Sequence, residues 1–368
     1  MATMRKFVLS GILMVACAVA SVRAQGIPGY TPTNYYPPTP EWRGQAGMTF
    51  LQVGGSARGE AMGGAFIAVK GDPSTIFYNP AGMAHLPRFS VYANHTSWLA
   101  DMSVNHFVAA FNPGPFTIGV SMVSMDYGQI EATEKADNPA GFVRLPSFSP
   151  SAYALGVFYA MPLIDRFNFG VQVKYVKQDL GTNRLYTFIG TPGWKNDKNG
   201  NDVYSDNEVG AFAVDLGTQY ITGFRNVTVN MSLRHFASPQ TYVDDAAKFD
   251  LPLTYQAGLS SEVIQLVTGL ESPTHKVYLA IDGVNQRDVT LDVAAGIEYI
   301  VDLSTTLPGT SVSLRAGRRP SRNQEGWLSV GGGINFQISS MAARLDYAYN
   351  DYGPHLTASN VGLALQIR

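Results

Sequence analysis

The residue types that could do chemistry are present in this chain, but their spacing rarely suits it. The six histidines, His85, His95, His106, His235, His275 and His355, are scattered, and no HExxH, GxSxG or GxxxxGK[ST] spacing occurs, so nothing nominates a zinc hydrolase, a serine hydrolase or a phosphate-cradling loop. His95 and His106 flank one predicted loop and could meet in space, although the plainer reading is two interfacial histidines. No carboxylate pair stands isolated on an apolar stretch as general acid/base work requires. The single cysteine, Cys17, falls in an N-terminal apolar run, so the mature chain is expected to hold no thiol nucleophile or disulfide. One loop does carry a ligand pattern. From Asp197 to Glu208, oxygen ligands fall at positions 1, 3, 5, 9 and 12 of an EF-hand-type register, with Asp197, Asn199, Asn201 and Glu208 as the candidate Ca²⁺ ligands. Asp202 stands where that motif wants glycine, and solvated loop tips collect Asn, Asp and Gly for other reasons. The expectation is a protein that is not an enzyme and has no resident cofactor beyond that candidate calcium.

The elements that would position such residues are strands. From Phe167, one face carries Phe167, Phe169, Val171, Val173 and Tyr175, and the other Asn168, Gly170, Gln172 and Lys174; Val227 to Arg234 and Val361 to Arg368 alternate in the same way. Soluble sandwiches alternate too, so the connections decide. Asn112 to Pro115, Met161 to Arg166, Thr222 to Asn226 and Ser339-Ser340 are tight, whereas Met125 to Ser151, Asp179 to Glu208 and Ala237 to Pro252 are long and polar. Short turns opposite long loops are the signature of a transmembrane barrel. About fourteen strands are predicted over 89–368, with the connections Glu262 to His275 and Asn285 to Asp288 breaking the short–long pattern. Charged residues are only 15% of the chain, well below the quarter typical of soluble proteins, as suits a wall facing lipid. No Lys/Arg cluster exists to hold nucleic acid.

The ends set the compartment. Arg5 and Lys6, an apolar run from Phe7 to Ala20 and then Val22-Arg23-Ala24 read as a secretory signal over 1–24. No later run is long enough for a membrane helix. Residues 25–47 form a proline-rich tether, whose stretch Gly26 to Pro40 reads GIPGYTPTNYYPPTP and suits an extended strap or a docking strip.

Residues 48–88 remain. Small residues crowd Gly54, Gly55, Ser56, Ala57, Gly59, Gly63, Gly64 and Ala65, so backbone can approach backbone closely. A fourteen-strand barrel encloses more space than side chains fill, and this segment immediately precedes the first strand. It is read as a hatch in the lumen. Its motifs are Arg58, Met62-Gly63-Gly64, Asp72 and Tyr78-Asn79-Pro80-Ala81-Gly82; a second block is Leu314-Arg315-Ala316-Gly317-Arg318, followed by a Gly-rich strand and Leu345-Asp346-Tyr347-Ala348-Tyr349. With these blocks in this order the chain resembles the PorV/PorQ family of outer-membrane barrels, which are similar to FadL-type transporters.

The resemblance implies an integral protein of the bacterial outer membrane that takes part in type IX secretion, binding C-terminal domains of secreted cargo and meeting other secretion-system subunits through its long loops. Phe142, Phe148, Phe188 and Trp194 are the loop aromatics that could anchor such partners. A FadL-like transporter of hydrophobic small molecules is the alternative, and a purely structural barrel the second. Polar inner positions such as Gln172, Lys174, Asn230, Arg234 and Arg315 count against an apolar path. The chain ends Gln366-Ile367-Arg368, without the aromatic residue usual at the end of such barrels.

Overall fold

The computed structural model describes residues 46–184, 186–187, 193–194, 204–242, 248–287, 291–319, 328–353 and 356–368. The expected signal peptide, the tether up to residue 45, Phe188 and the candidate calcium ligands Asp197, Asn199 and Asn201 lie outside the described residues.

Fourteen antiparallel strands close into a barrel. They are β1 (Phe89–Ser97), β2 (Ser103–Phe111), β3 (Thr117–Asp126), β4 (Ser151–Ile164), β5 (Phe167–Arg184), β6 (Tyr204–Ile221) and β7 (Thr228–Phe236). The second half is β8 (Thr254–Glu262), β9 (His275–Gln286), β10 (Asp292–Asp302), β11 (Thr310–Arg318), β12 (Leu328–Ile338), β13 (Met341–Asp351) and β14 (Thr357–Ile367). Each pairs with its neighbour in sequence, and β1 closes on β14 with Phe89 opposite Ile367 and Ser97 opposite Ser359. Closure leaves no hydrogen-bonding edge, as a sheet in hydrocarbon requires.

The period of two sorts the side chains as the sequence predicts. In β5, Asn168, Gln172 and Lys174 are buried while Val173 is exposed; in β14, Gly362 and Ala364 are buried while Val361, Leu363 and Leu365 are exposed. The outer wall is thus apolar and the inner wall largely polar, the reverse of a water-soluble sandwich. Alternation fails late in β7. There both Arg234 and His235 face inward, His235 has φ of 62°, and the pairing of β6 with β7 shifts register between Val214 and Leu216.

Sidedness also follows. The tight turns and the longer 263–274 connection, which carries helix α2 (Val263–Thr268), lie at one end; the long loops and the short 287–291 connection lie at the other. The two connections that broke the length pattern are therefore an enlarged turn and a shortened loop, and the strand count is unaffected. Strands β5 and β6 run 18 residues each; Ser151 at the start of β4 pairs with Asp179, so residues 180–184 of β5 rise on the order of 15 Å beyond β4. Ile367 at the chain end is exposed on the outer wall, in line with a lipid-facing register.

Residues 46–88 pack against the inner wall. The segment is held at the loop end by the Gly47 N–H donating to the Asp250 carbonyl (3.0 Å) and at the turn end by the Asn112 N–H donating to the Arg88 carbonyl (2.9 Å). Its short elements are set by local capping. Ser56 caps helix α1 (Ala57–Ala61), its hydroxyl accepting from the Gly59 N–H at 3.1 Å. Two 3₁₀ turns, Pro73–Phe77 and Pro80–His85, share one design: an Asx residue whose side-chain oxygen accepts a backbone N–H, followed by proline at the first position. In the first, Asp72 accepts from Ser74; in the second, Asn79 accepts from Ala81, each at 3.0 Å.

Candidate functional site

The two sequence blocks meet in space. Arg58 of helix α1 pairs with Asp72 (2.9 Å) and Glu298 (2.5 Å); Arg344 pairs with Asp72 (2.7 Å) and Asp346 (2.6 Å); Arg315 pairs with Glu298 (2.7 Å) and Asp346 (2.8 Å). These six side chains form a closed ring in which guanidinium and carboxylate alternate, three of each. The formal charge of the ring is zero, which is what allows it to be buried. Asp72 divides its two oxygens, Oδ1 capping the 3₁₀ turn and Oδ2 serving both arginines. Burial alone would push its carboxyl up, but Arg344 and Arg58 hold it well below the usual carboxylate range.

Missing side chains in the wall make room for this ring and for the segment behind it. A Cβ on Gly333 of β12 would stand 2.3 Å from Asp346 Oδ1 and 2.9 Å from an Arg315 nitrogen, so its absence lets Arg315 reach across β12 to Asp346 on β13. At Gly317 a Cβ would come within 2.0 Å of the Met62 carbonyl carbon and 2.2 Å of the Gly63 nitrogen. Met62 is buried, and Gly63 and Gly64 take φ of 68° and 80°, which explains the glycine pair after Met62.

The Tyr78 to Gly82 turn is tied to a different part of the wall. Asn79 Nδ2 donates to the Thr218 carbonyl on β6 (3.1 Å), and a Cβ on Gly217 would stand 2.0 Å from Asn79 Oδ1. The Tyr78 hydroxyl donates to Glu60 (2.8 Å), and its ring packs edge-on against Phe66 at 5.2 Å. Gly82 passes so close to Thr75 that a Cβ would meet its Oγ1 at 2.7 Å. Replacing Asn79 with alanine removes a cap and a wall contact together. The expected loss is about 1–2 kcal/mol, read as a lower temperature for conversion of the folded to the unfolded gel band.

Above helix α1, toward the loops, the inner wall changes character. Val104, Met125, Ala152, Val176, Val209 and Ala213 bury apolar side chains against Met48, Phe50 and Leu51. A cavity of about 410 Å³ opens here, lined by Phe50, Trp98, Met102, Met125 and Tyr352 together with the polar Thr49, Gln52, Glu60, Gln286 and Arg319. Trp98 and Tyr352 meet edge to face at 5.2 Å. Burial raises the Glu60 carboxyl above its ordinary range, against the lowering effects of the Tyr78 hydrogen bond and of Arg319.

A second polar cluster sits at the β6–β7 irregularity. Lys174 Nζ donates to Asp215 Oδ2 (2.6 Å) and to His235 Nδ1 (2.7 Å), while Asp215 Oδ1 accepts the His235 backbone N–H at 2.7 Å. The carboxylate thereby substitutes for the ladder acceptor that the register shift removes.

The remaining sequence candidates fall as follows. His95 and His106 do not meet: His106 is buried against Phe77, with ring centroids 4.9 Å apart, and His95 hydrogen-bonds Asn105 on the outer face. Phe142 and Phe148 are exposed on the loop between β3 and β4, where Thr133–Lys135 pairs with Phe142–Arg144. The backbone of Trp194 pairs with Tyr186. Glu208 lies in β6, bonded to Lys177 at 2.7 Å. Tyr127, a loop aromatic by sequence, lines the mouth cavity, its hydroxyl accepting from Gln178. Glu298 and Arg344 escaped the sequence reading, although both are charged residues on the inward side of an alternating strand, which is the signal that could have found them.

No family model matches the chain, and no curated protein matches its sequence. Among solved structures, the toluene transporter TbuX of Ralstonia pickettii superposes with a TM-score of 0.54 at 12% identity, covering 86% of this chain and 98% of that one. The Pseudomonas putida toluene transporter TodX gives 0.53 at 11% identity, covering 85% and 96%. The monoaromatic hydrocarbon channel CymD gives 0.50 at 11% identity, covering 86% and 98%. At such identities the likeness is one of fold: this chain has the fourteen-strand barrel architecture of these hydrocarbon transporters and channels.

Proposed function

We propose that the protein is an integral barrel of the bacterial outer membrane that admits small hydrophobic molecules through the cavity at its loop-bearing mouth. The observation that carries this reading is the cavity in the upper lumen, about 410 Å³ of space where Phe50, Trp98, Met102, Met125, Tyr127 and Tyr352 line the wall beside the polar Gln52, Glu60, Gln286 and Arg319. Hydrophobic sites of this volume and lining hold small ligands. The solved structures of similar fold are described as toluene transporters and a monoaromatic hydrocarbon channel, which supports the same ligand class. The polar inner positions that argue against an apolar path belong to the lower half and to the wall irregularity.

Trp98→Ala tests the proposal. Loss of one aromatic face of the cavity is expected to weaken binding of a small aromatic probe by about tenfold or more, the equivalent of about 1.5–3 kcal/mol, with the barrel still folded by gel shift. Equal affinity in wild type and variant would remove the cavity from the mechanism. The secretion role implied by the sequence resemblance is a second reading, favoured by the exposed Phe142 and Phe148 on the β3–β4 loop. Purification of the tagged protein from its own membrane separates the two, since one reading expects a bound apolar molecule and the other a set of exported proteins sharing a C-terminal domain.

A further inference from the structure

The cluster at the β6–β7 irregularity holds an amine, a carboxyl group and a base in mutual contact. Lys174 Nζ lies 2.6 Å from Asp215 Oδ2 and 2.7 Å from His235 Nδ1, and the lysine and aspartate side chains are only 8% and 2% exposed. An ammonium has only protons to offer, so the His235 Nδ1 that faces it presents a lone pair. Asp215 Oδ1 accepts the His235 backbone N–H at 2.7 Å, a fixed donor on the oxygen that gains charge when the carboxyl carbon is attacked. His235 is held there with φ of 62°, a left-handed conformation that residues with a side chain seldom adopt.

The surroundings suit the same chemistry. Leu51, Val53, Phe77 and Val123 line the space around the three groups, an apolar setting that accommodates a neutral amide more readily than two charges. About 30 Å³ is open beside Lys174, Asp215 and His235, room for one water. His106 and His235 both border it, and each has one buried ring nitrogen, Nδ1 and Nε2 respectively, without a partner among the described residues.

We propose that Lys174 and Asp215 condense into an isopeptide bond that staples β5 to β6. Nζ gives one proton to His235 Nδ1 and attacks Asp215 Cγ. The Nζ–Cγ bond forms, the Cγ–Oδ2 bond breaks, and Oδ2 leaves as water with the proton returned by His235 and a second proton from Nζ. Oδ1 becomes the amide oxygen and keeps the His235 N–H. The ammonium and carboxylate charges cancel in the product, and no oxidant or cofactor enters. Contact between the reactants supplies the effective concentration that free amine and carboxylate lack. The bond joins positions 41 apart in sequence, beside the register shift between Val214 and Leu216 where the ladder is weakest, in a chain whose single cysteine is Cys17. It belongs to the wall and is independent of what passes through the lumen.

Trypsin digestion of the denatured barrel, purified from its own membrane, reads the bond by mass spectrometry. Trypsin does not cut after an acylated lysine, so wild type is expected to give a branched peptide, 167–177 joined to 199–225, lighter than the sum of the two by one water. Lys174→Arg should give linear peptides only. Linear 167–174 and 199–225 in wild type, with no branched product, overturn the proposal, as does a branched product that persists in Lys174→Arg. His235→Phe, refolded in detergent, tests the base: the branched peptide should accumulate about a hundredfold more slowly than in refolded wild type. An unchanged rate overturns the role of His235. Should that variant fail to refold, the wild-type digest alone decides the bond.

Discussion

Arg315→Met is expected to lower the stability of the barrel by about 3–5 kcal/mol, the cost of leaving buried charge without its partner. Arg315 bonds both Glu298 and Asp346, and all three side chains are almost wholly buried. Methionine fills a similar volume, so the loss is electrostatic rather than a packing defect. The measurement is the temperature at which the fast-migrating folded band disappears on an unboiled gel. The pairing of charges, rather than their number, is the claim, and a double variant tests it: Arg315→Met with Glu298→Gln retains Arg58 and Arg344 against Asp72 and Asp346. It should recover a large part of the loss, with a coupling of about 1–3 kcal/mol. Additive losses in the double variant would mean that the side chains do not act as a ring.

The second large effect is expected at Gly317. Even alanine there would put a methyl group 2.0 Å from the Met62 carbonyl carbon and 2.2 Å from the Gly63 nitrogen, a collision with the Met62–Gly63 peptide that no rotamer relieves. Overpacking in a tight core costs about 1–3 kcal/mol and sometimes more. Here the cheapest relief is for residues 57–64 to leave the wall. Gly317→Leu should therefore either fail to give the folded band or give a barrel that passes small ions across a planar bilayer where wild type passes few. Gly332→Ala is the matched control, since its nearest neighbour would be the Ser313 carbonyl at 3.2 Å. Wild-type stability and conductance in Gly317→Leu would show that the contact between wall and segment is looser than described.

How much of this was legible in the sequence depends on whether the information was local. The two faces of β5 and β14 follow from a period of two, and the barrel follows from alternating loop lengths, because each signal is contained within a dozen residues or so. Asn79-Pro80 announces its own turn for the same reason. The ring was visible only in part. Arg58, Asp72, Arg315 and Asp346 stood in recognisable motifs, but Arg58 finds Glu298 across 240 positions, and no local pattern says which inward charge faces which. The mouth cavity was hidden differently. Val104, Met125, Ala152 and Val209 point inward near the loop end, so judging the lumen from Gln172, Asn230 and Arg315 sampled other parts of the wall.

The bare inner face of β12 has a consequence for how the molecule is made. With glycine at 331 and 333, that strand contributes no inward side chain of its own at those positions, and a Cβ at Gly331 would already touch Ala61. Strands β10, β11 and β13 place Glu298, Arg315 and Asp346 where Arg58, Asp72 and Arg344 complete their neutralisation. Arg58 and Asp72 are therefore needed by strands that lie far later in the chain, a long-range dependence that slows folding and favours all-or-none behaviour. Residues 46–88 are better regarded as the template on which the final strands settle than as a stopper added to a finished pipe. A chain lacking them should yield an unclosed sheet rather than a hollow pore.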